Sequence, residues 1–176
     1  MRRPRVLALG LYAAAAAVYG LDRITKAWAE ASLAGDAPID VIPGVLSLTY
    51  TTNSGGAFGL GRSAPWLFAT ATVVVSVVIV VMSVRIGRAS VAAALGLILG
   101  GALGNLTDRA LNGPALSGHV VDFIDFHVWP VFNVADSAIV AGAILLAVAT
   151  GRRERSFADE KRNERPPKRE ELAGGA

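Results

Sequence analysis

Between Arg62 and Arg85 the chain runs for 22 residues, Ser63 to Val84, without one charged side chain. A helix needs about 20 apolar residues to cross the hydrocarbon core of a bilayer. Two further windows repeat the pattern. Ala89 to Thr107 lies between Arg88 and Asp108, and Val128 to Gly151 is interrupted only by Asp136. A fourth, Val6 to Leu21, is shorter and runs into Asp22 and Arg23, so this polar pair must lie near a membrane surface or in a protein-lined cavity. The expectation is an all-α membrane protein of four spans, at about 6–25, 64–84, 89–107 and 131–150. Outer loops would fill 26–63 and 108–130. With 176 residues, nothing points to a second domain.

Direction follows from where Lys and Arg fall. Arg2, Arg3 and Arg5 precede the first span, Arg85 and Arg88 occupy the turn between the second and third, and eight more lie from Arg152 to Arg169. Thirteen of the 17 basic residues are thereby on one side, leaving Arg23, Lys26, Arg62 and Arg109 on the other. Both termini are expected in the cytoplasm. Arg2-Arg3-Pro4-Arg5 ahead of an apolar stretch and Ala15-Ala16-Ala17 also resembles a cleavable signal peptide. Removing it would leave an odd number of spans and split the basic clusters across the membrane. The basic pI, near 9.7, thus reflects topology, and no nucleic-acid partner is expected. Residues 152–176 are polar, mixed in charge and carry Pro166-Pro167, which reads as a disordered cytoplasmic tail able to touch anionic lipid.

In the first outer loop, Val45 to Thr52 is rich in β-branched residues and follows a Pro43-Gly44 turn, so a short strand is expected. Asn53-Ser54-Gly55-Gly56-Ala57-Phe58-Gly59 then makes a Gly-rich bend that could present backbone groups to a ligand. In the second, His119 to Phe126 sets Asp122 and Asp125 in an apolar stretch, which should lie against the membrane surface or the helix mouths.

An ionisable group inside a span costs at least about 2.5–3.5 kcal/mol and marks function by default. Asp136 is the clearest case. Fifteen uncharged residues, Ser137 to Gly151, separate it from Arg152, about 22 Å of helix at 1.5 Å per residue. That puts it near the outer boundary of the hydrocarbon, level with Asp22, Asn105, Asp108 and Arg109, while Asp122 enters from the adjoining loop. Two close carboxylates cannot both ionise cheaply, so one keeps its proton. The ionised member can then activate water while the other protonates a carbonyl. The plainer reading, a helix cap or an ion pair with Arg23, Lys26 or Arg109, is favoured for Asp22 and Asp108. It is weaker for Asp136, whose sequence neighbours offer no cation. Gly96, Gly100 and Gly104 form a small-residue stripe on the third span that lets another helix approach.

Five ordered blocks carry a resemblance. These are Asp22-Arg23-Ile24-Thr25-Lys26, Asn53 to Phe58, Gly101 to Arg109, Val120-Val121-Asp122-Phe123 and Phe132-Asn133-Val134-Ala135-Asp136-Ser137. Together, over about residues 6–150, they resemble lipoprotein signal peptidase, or signal peptidase II. The resemblance implies a monomeric four-helix enzyme of the bacterial inner membrane with a small extracytoplasmic β-cradle and its active site at that outer face. It implies an aspartic endopeptidase that cuts diacylglyceryl-modified prolipoproteins just before the lipidated cysteine, without cofactor or metal, and that globomycin inhibits. Asp122 and Asp136 would be the catalytic pair. Asn53, Gly55, Asn105, Arg109 and Asn133 would bind substrate or brace the site, with Asp22, Lys26 and Asp108 as support. The link Ala110 to Gly118 looks longer than usual in that family, and so does the tail.

A small transporter or proton channel would also keep carboxylates in its spans, but near the midplane or strung along a path. Here they gather at one level. A metalloprotease needs a His-Glu-x-x-His helix, and the only histidines are His119 and His127. A serine mechanism lacks a base near Ser54. With no cysteine, thiolate chemistry is absent.

Overall fold

The structure is a computed structural model and describes residues 2–55 and 65–163. Gly56 to Gly59 of the glycine-rich bend, Arg62, and residues 164–176 of the tail lie outside the described residues. Four α-helices and three strands follow in the order α1 (Arg2–Leu33), β1 (Ile39–Ile42), β2 (Leu46–Asn53), α2 (Pro65–Met82), α3 (Ala89–Leu111), β3 (Val120–Asp125) and α4 (Val134–Asn163). Four helical segments are long and apolar enough to cross a membrane: Arg5–Leu33, Trp66–Arg85 (α2 together with the Ser83–Arg85 helical turn that continues it), Ala89–Leu111 and Val134–Gly151.

Helix α3 is the centre of the bundle, packed against α1, α4 and α2. The glycine stripe explains how. A Cβ on Gly96 would sit 2.6 Å from the carbonyl oxygen of Leu11, and one on Gly100 would sit 2.8 Å from Val18 Cβ. A Cβ on Gly104 would strike the Asp22 carboxylate, so all three glycines face α1. Gly101 faces Ala135 on the other side, and Gly142 of α4 meets Ala94 of α3. With little hydrophobic drive between helices in lipid, such close backbone approach is what van der Waals packing can use. Leu11, Ala15, Ile79, Leu95 and Leu99 fill the core towards the end where the Ser83–Arg85 turn joins α2 to α3.

The sheet caps the opposite end. Its order is β1-β2-β3, all antiparallel, with Asn53 paired to Val120 and Thr51 to Asp122. Phe132, just before α4, adds an isolated bridge to Ile124. The strand expected at Val45 to Thr52 is thus present as β2. The β-structure expected outside the membrane also includes β1 and β3, which the pattern of residues did not announce.

Several boundaries differ from those read in the sequence. Helix α1 does not stop near residue 25 but continues to Leu33, where Gly35 (φ +88°) and the Asp36 N–H to Leu33 carbonyl bond close it. The reason is burial: Ala29 and Leu33 pack against Phe123 of β3, with Leu48, Tyr50 and Val134 around them. Lys26 is therefore a helical residue and not the start of a loop. Helix α3 similarly runs on to Leu111. Helix α4 begins at Val134 and continues to Asn163, past the boundary set at 151 for the tail; no Gly or Pro interrupts residues 152–163. Between α3 and β3, the link Asn112 to His119 closes on itself through Gly118 N–H to Arg109 carbonyl and Asn112 Nδ2 to His119 carbonyl bonds.

Candidate active site

Strand β3 leaves its whole first half buried, and Asp122 in the middle of it is 2% exposed. Helix α4 starts 12 residues later, and Asp136 lies in its first turn, where a negative charge suits the helix dipole. Both side chains line one cavity of about 300 Å³, together with Asn53, Gly55, Asn105 and Arg109. Apolar walls come from Phe68 of α2, Val131 and Phe132 before α4, and Ile139 and Val140 within it.

Amide side chains hold the two carboxylates. Asn133 Nδ2 donates to Asp122 Oδ1 at 2.7 Å, while Asn133 Oδ1 accepts from the Asp136 N–H at 2.9 Å and so caps α4. Asn53 Nδ2 donates to the other Asp122 oxygen at 3.2 Å. Asn105 Nδ2 donates to Asp136 Oδ1 at 2.8 Å. Burial, reinforced by the nearby Asp136 carboxylate, pushes Asp122 from the usual 3.8 up to about 7, against the pull of the Asn53 and Asn133 amides and of Lys26. Near neutral pH Asp122 is thus still partly protonated, where an exposed aspartate would be fully ionised.

Arg109 is 7% exposed; its Nη2 donates to the Gly55 carbonyl at 2.8 Å, and its Nη1 has no hydrogen-bond partner among the described residues. Gly55 N–H in turn donates to Asn53 Oδ1 at 2.9 Å, so strand end, bend and α3 are tied together.

Asp22, Lys26 and Asp108 do not line the cavity. They form a buried ionic cluster behind it, with Lys26 Nζ 2.8 Å from Asp22 and 2.9 Å from Asp108, and Arg23 on the outer side of Asp108. Asp22 Oδ1 also accepts the Ala135 N–H, and Asp108 Oδ2 the Val121 N–H. The plainer reading of these two aspartates holds, with Arg23 and Lys26 as their cations. Such a cluster, with its opposite charges paired, ties α1, α3, β3 and α4 into one unit where a lone charge would not be tolerated. Among the described residues no group of three His, Cys, Asp or Glu is placed to hold a metal ion.

Asp122, Asp136 and Asn105 stood out in the sequence as polar residues in apolar surroundings, whereas Asn53 and Asn133 were named through the family resemblance. Phe68, Thr72, Trp129 and Val131 also line the cavity and were not foreseen. As apolar or weakly polar residues in or beside spans, they carry no signal distinguishing a site wall from a lipid-facing surface.

The family profile described as Signal peptidase (SPase) II matches residues 14–151. The chain belongs to the signal peptidase II family. Among similar proteins, a lipoprotein signal peptidase of Syntrophomonas wolfei is 47% identical over 82% of this chain and 91% of its own length. One from Rhodococcus jostii is 45% identical over 80% of this chain and 71% of its own. A solved structure described as a bacterial membrane enzyme superposes with a TM-score of 0.69, at 29% identity, over 90% of this chain and 93% of that one. As a member of the signal peptidase II family the chain is a multi-pass membrane peptidase of aspartic type that acts on lipoprotein signal peptides.

Proposed function

We propose that Asp122 and Asp136 are the catalytic pair and share one proton. The ionised member takes a proton from a water molecule as its oxygen attacks the scissile carbonyl. The protonated member gives its proton to the carbonyl oxygen, and collapse of the tetrahedral intermediate passes a proton to the leaving amine. The observation that supports this reading is that both residues line one cavity, with the Asn133 amide bonded to the Asp122 carboxylate and to the Asp136 backbone N–H. Asn53, Asn105 and Arg109 supply donors around the pair, and Gly55 brings backbone to the cavity edge.

The bond cut lies just before the diacylglyceryl-modified cysteine of a prolipoprotein. Apolar walls on α2 and α4 suit a substrate that arrives through the bilayer with its acyl chains, and globomycin would compete for the same space. The gathering of basic residues on one side supports a topology with both termini in the cytoplasm and the sheet end of the bundle at the extracytoplasmic face of the inner membrane. The working unit in this reading is a monomer.

The test uses full-length protein in membranes with a diacylglyceryl-modified precursor. Asp122→Asn and Asp136→Asn should insert normally and leave the precursor uncut, and unlipidated precursor should be cut poorly by the unaltered enzyme. Normal processing by either variant removes the pair from the mechanism. Equal rates with and without acyl chains remove the lipid requirement.

A further inference from the structure

Lys26 lies outside the cavity and is 1% exposed, yet only one side chain separates it from Asp136. Its Nζ ion-pairs with Asp22 and Asp108 and also donates to Asn105 Oδ1 at 2.8 Å. A lysine ammonium has donors and no acceptor. The Asn105 oxygen must therefore face it, and Asn133 Nδ2 reaches the same oxygen at 3.2 Å. Turned over, the Asn105 amide would set its own N–H groups against both donors. With the oxygen held, Nδ2 faces Asp136 and donates to it.

The other two amides at the pair are fixed differently. Asn133 Oδ1 accepts from the Asp136 N–H, and Asn53 Oδ1 from the Gly55 N–H. A backbone N–H cannot reverse its role, so these two amides also turn their N–H groups to Asp122. Of the three, Asn105 alone takes its orientation from the side chain of a neighbour on another helix. The ion pairs with Asp22 and Asp108 use two of the three N–H groups of this buried ammonium, and the third is directed to Asn105.

We propose that Lys26 is a positioning residue of the peptidase reaction, which keeps an N–H donor on Asp136 by holding the Asn105 oxygen. The inference rests on the reading of Asp122 and Asp136 as the catalytic pair. Charged groups facing this network are Asp22 and Arg23 of α1, Asp108 and Arg109 of α3, Asp122 of β3 and Asp136 of α4.

The experiment is a mutant cycle in full-length enzyme with a diacylglyceryl-modified peptide. Lys26→Met is combined with Asp22→Asn, so that one positive and one negative charge leave together, and is crossed with Asn105→Ala. The charge-balanced variant should lower kcat about 30-fold with KM within about twofold, because the loss falls on the reacting state. Its acidic limb of kcat against pH should move upward, because a lost N–H donor weakens the ionised form of a carboxylate. Added to Asn105→Ala, it should cost no more than about twofold beyond that change alone, as coupled residues do. Losses that multiply, or a pH profile that does not move, overturn the proposal.

Should the Lys26 variant fail to accumulate, Asn105→Asp decides. It keeps an oxygen for Lys26 and replaces the N–H facing Asp136 by a second oxygen. A loss of about 100-fold or more in kcat is expected from inserted protein, since a stabilising donor becomes a repelling acceptor. Activity within about threefold of the unaltered enzyme overturns the proposal. Asp122→Asn and Asp136→Asn run in the same assay separate the two layers. If they still cleave, the catalytic pair itself is wrong; if they are silent while the cycle is additive, only the role of Lys26 is.

Discussion

Asn133 donates to Asp122 across 2.7 Å and joins the start of α4 to the middle of β3. The same side chain is fully buried and accepts the Asp136 N–H, so one residue both caps α4 and binds the Asp122 carboxylate. Around it, each contact has a chemical direction fixed by a group that can only donate.

Asn133→Ala removes both bonds at once. A hydrogen bond to a charged group contributes about 1.5–3 kcal/mol, and each 1.4 kcal/mol is tenfold in rate. Cleavage of lipidated precursor should fall by about a hundredfold in protein that still inserts, measured against the amount of enzyme in the membrane. A loss below about threefold would show that Asn133 is not what holds the pair.

The pH dependence follows from Asp122, which burial and Asp136 raise to about 7. Below that value the pair keeps its shared proton, and above it the proton leaves. With one proton required, the rate should decline as pH rises through about 7, by up to tenfold per unit. For stability the sign is the same: a raised carboxylate favours the folded state most at pH below its unfolded value of 3.8, and this contribution is lost as pH rises through 7. Cleavage rates on detergent-solubilised enzyme between pH 5 and 9 provide the check, and a rate still rising at the alkaline end contradicts the assignment.

Helix spacing gives a prediction independent of chemistry. Gly100→Leu would drive a side chain into Ala15 and Val18 of α1 and should destabilise the bundle by about 1–3 kcal/mol or more. Gly10→Ala meets nothing within 4 Å and should be neutral or slightly stabilising. Thermal unfolding in detergent compares the two; equal midpoints would mean that α1 and α3 do not pack through the stripe.

Residue by residue, what the sequence disclosed depended on whether the signal was local. Asp136 stood out because no cation lay near it along the chain, and Gly96, Gly100 and Gly104 because their spacing places them on one helix face. The end of α1 was misjudged because Ala29 and Leu33 are helical through contact with Phe123, which lies far along the chain. Strand β3 was read as surface-lying loop because Val120-Val121-Asp122-Phe123-Ile124 does not alternate. It becomes a strand through pairing with β2, and burial of its first four residues makes consecutive apolar positions useful.

Taken alone, the sequence determined four apolar spans, the side on which positive charge gathers and the short list of polar residues that a bilayer would not tolerate without purpose. Those properties are sums over neighbouring residues and need no knowledge of the fold. Which of the acidic residues face a common cavity, and which are neutralised behind it, was decided by tertiary structure. Lys26 meets Asn105 across 79 positions of sequence and Asn53 meets Asp122 across 69. Whether a buried carboxylate stays reactive or becomes an ion pair depends on the donors that such distant segments bring within about 3 Å.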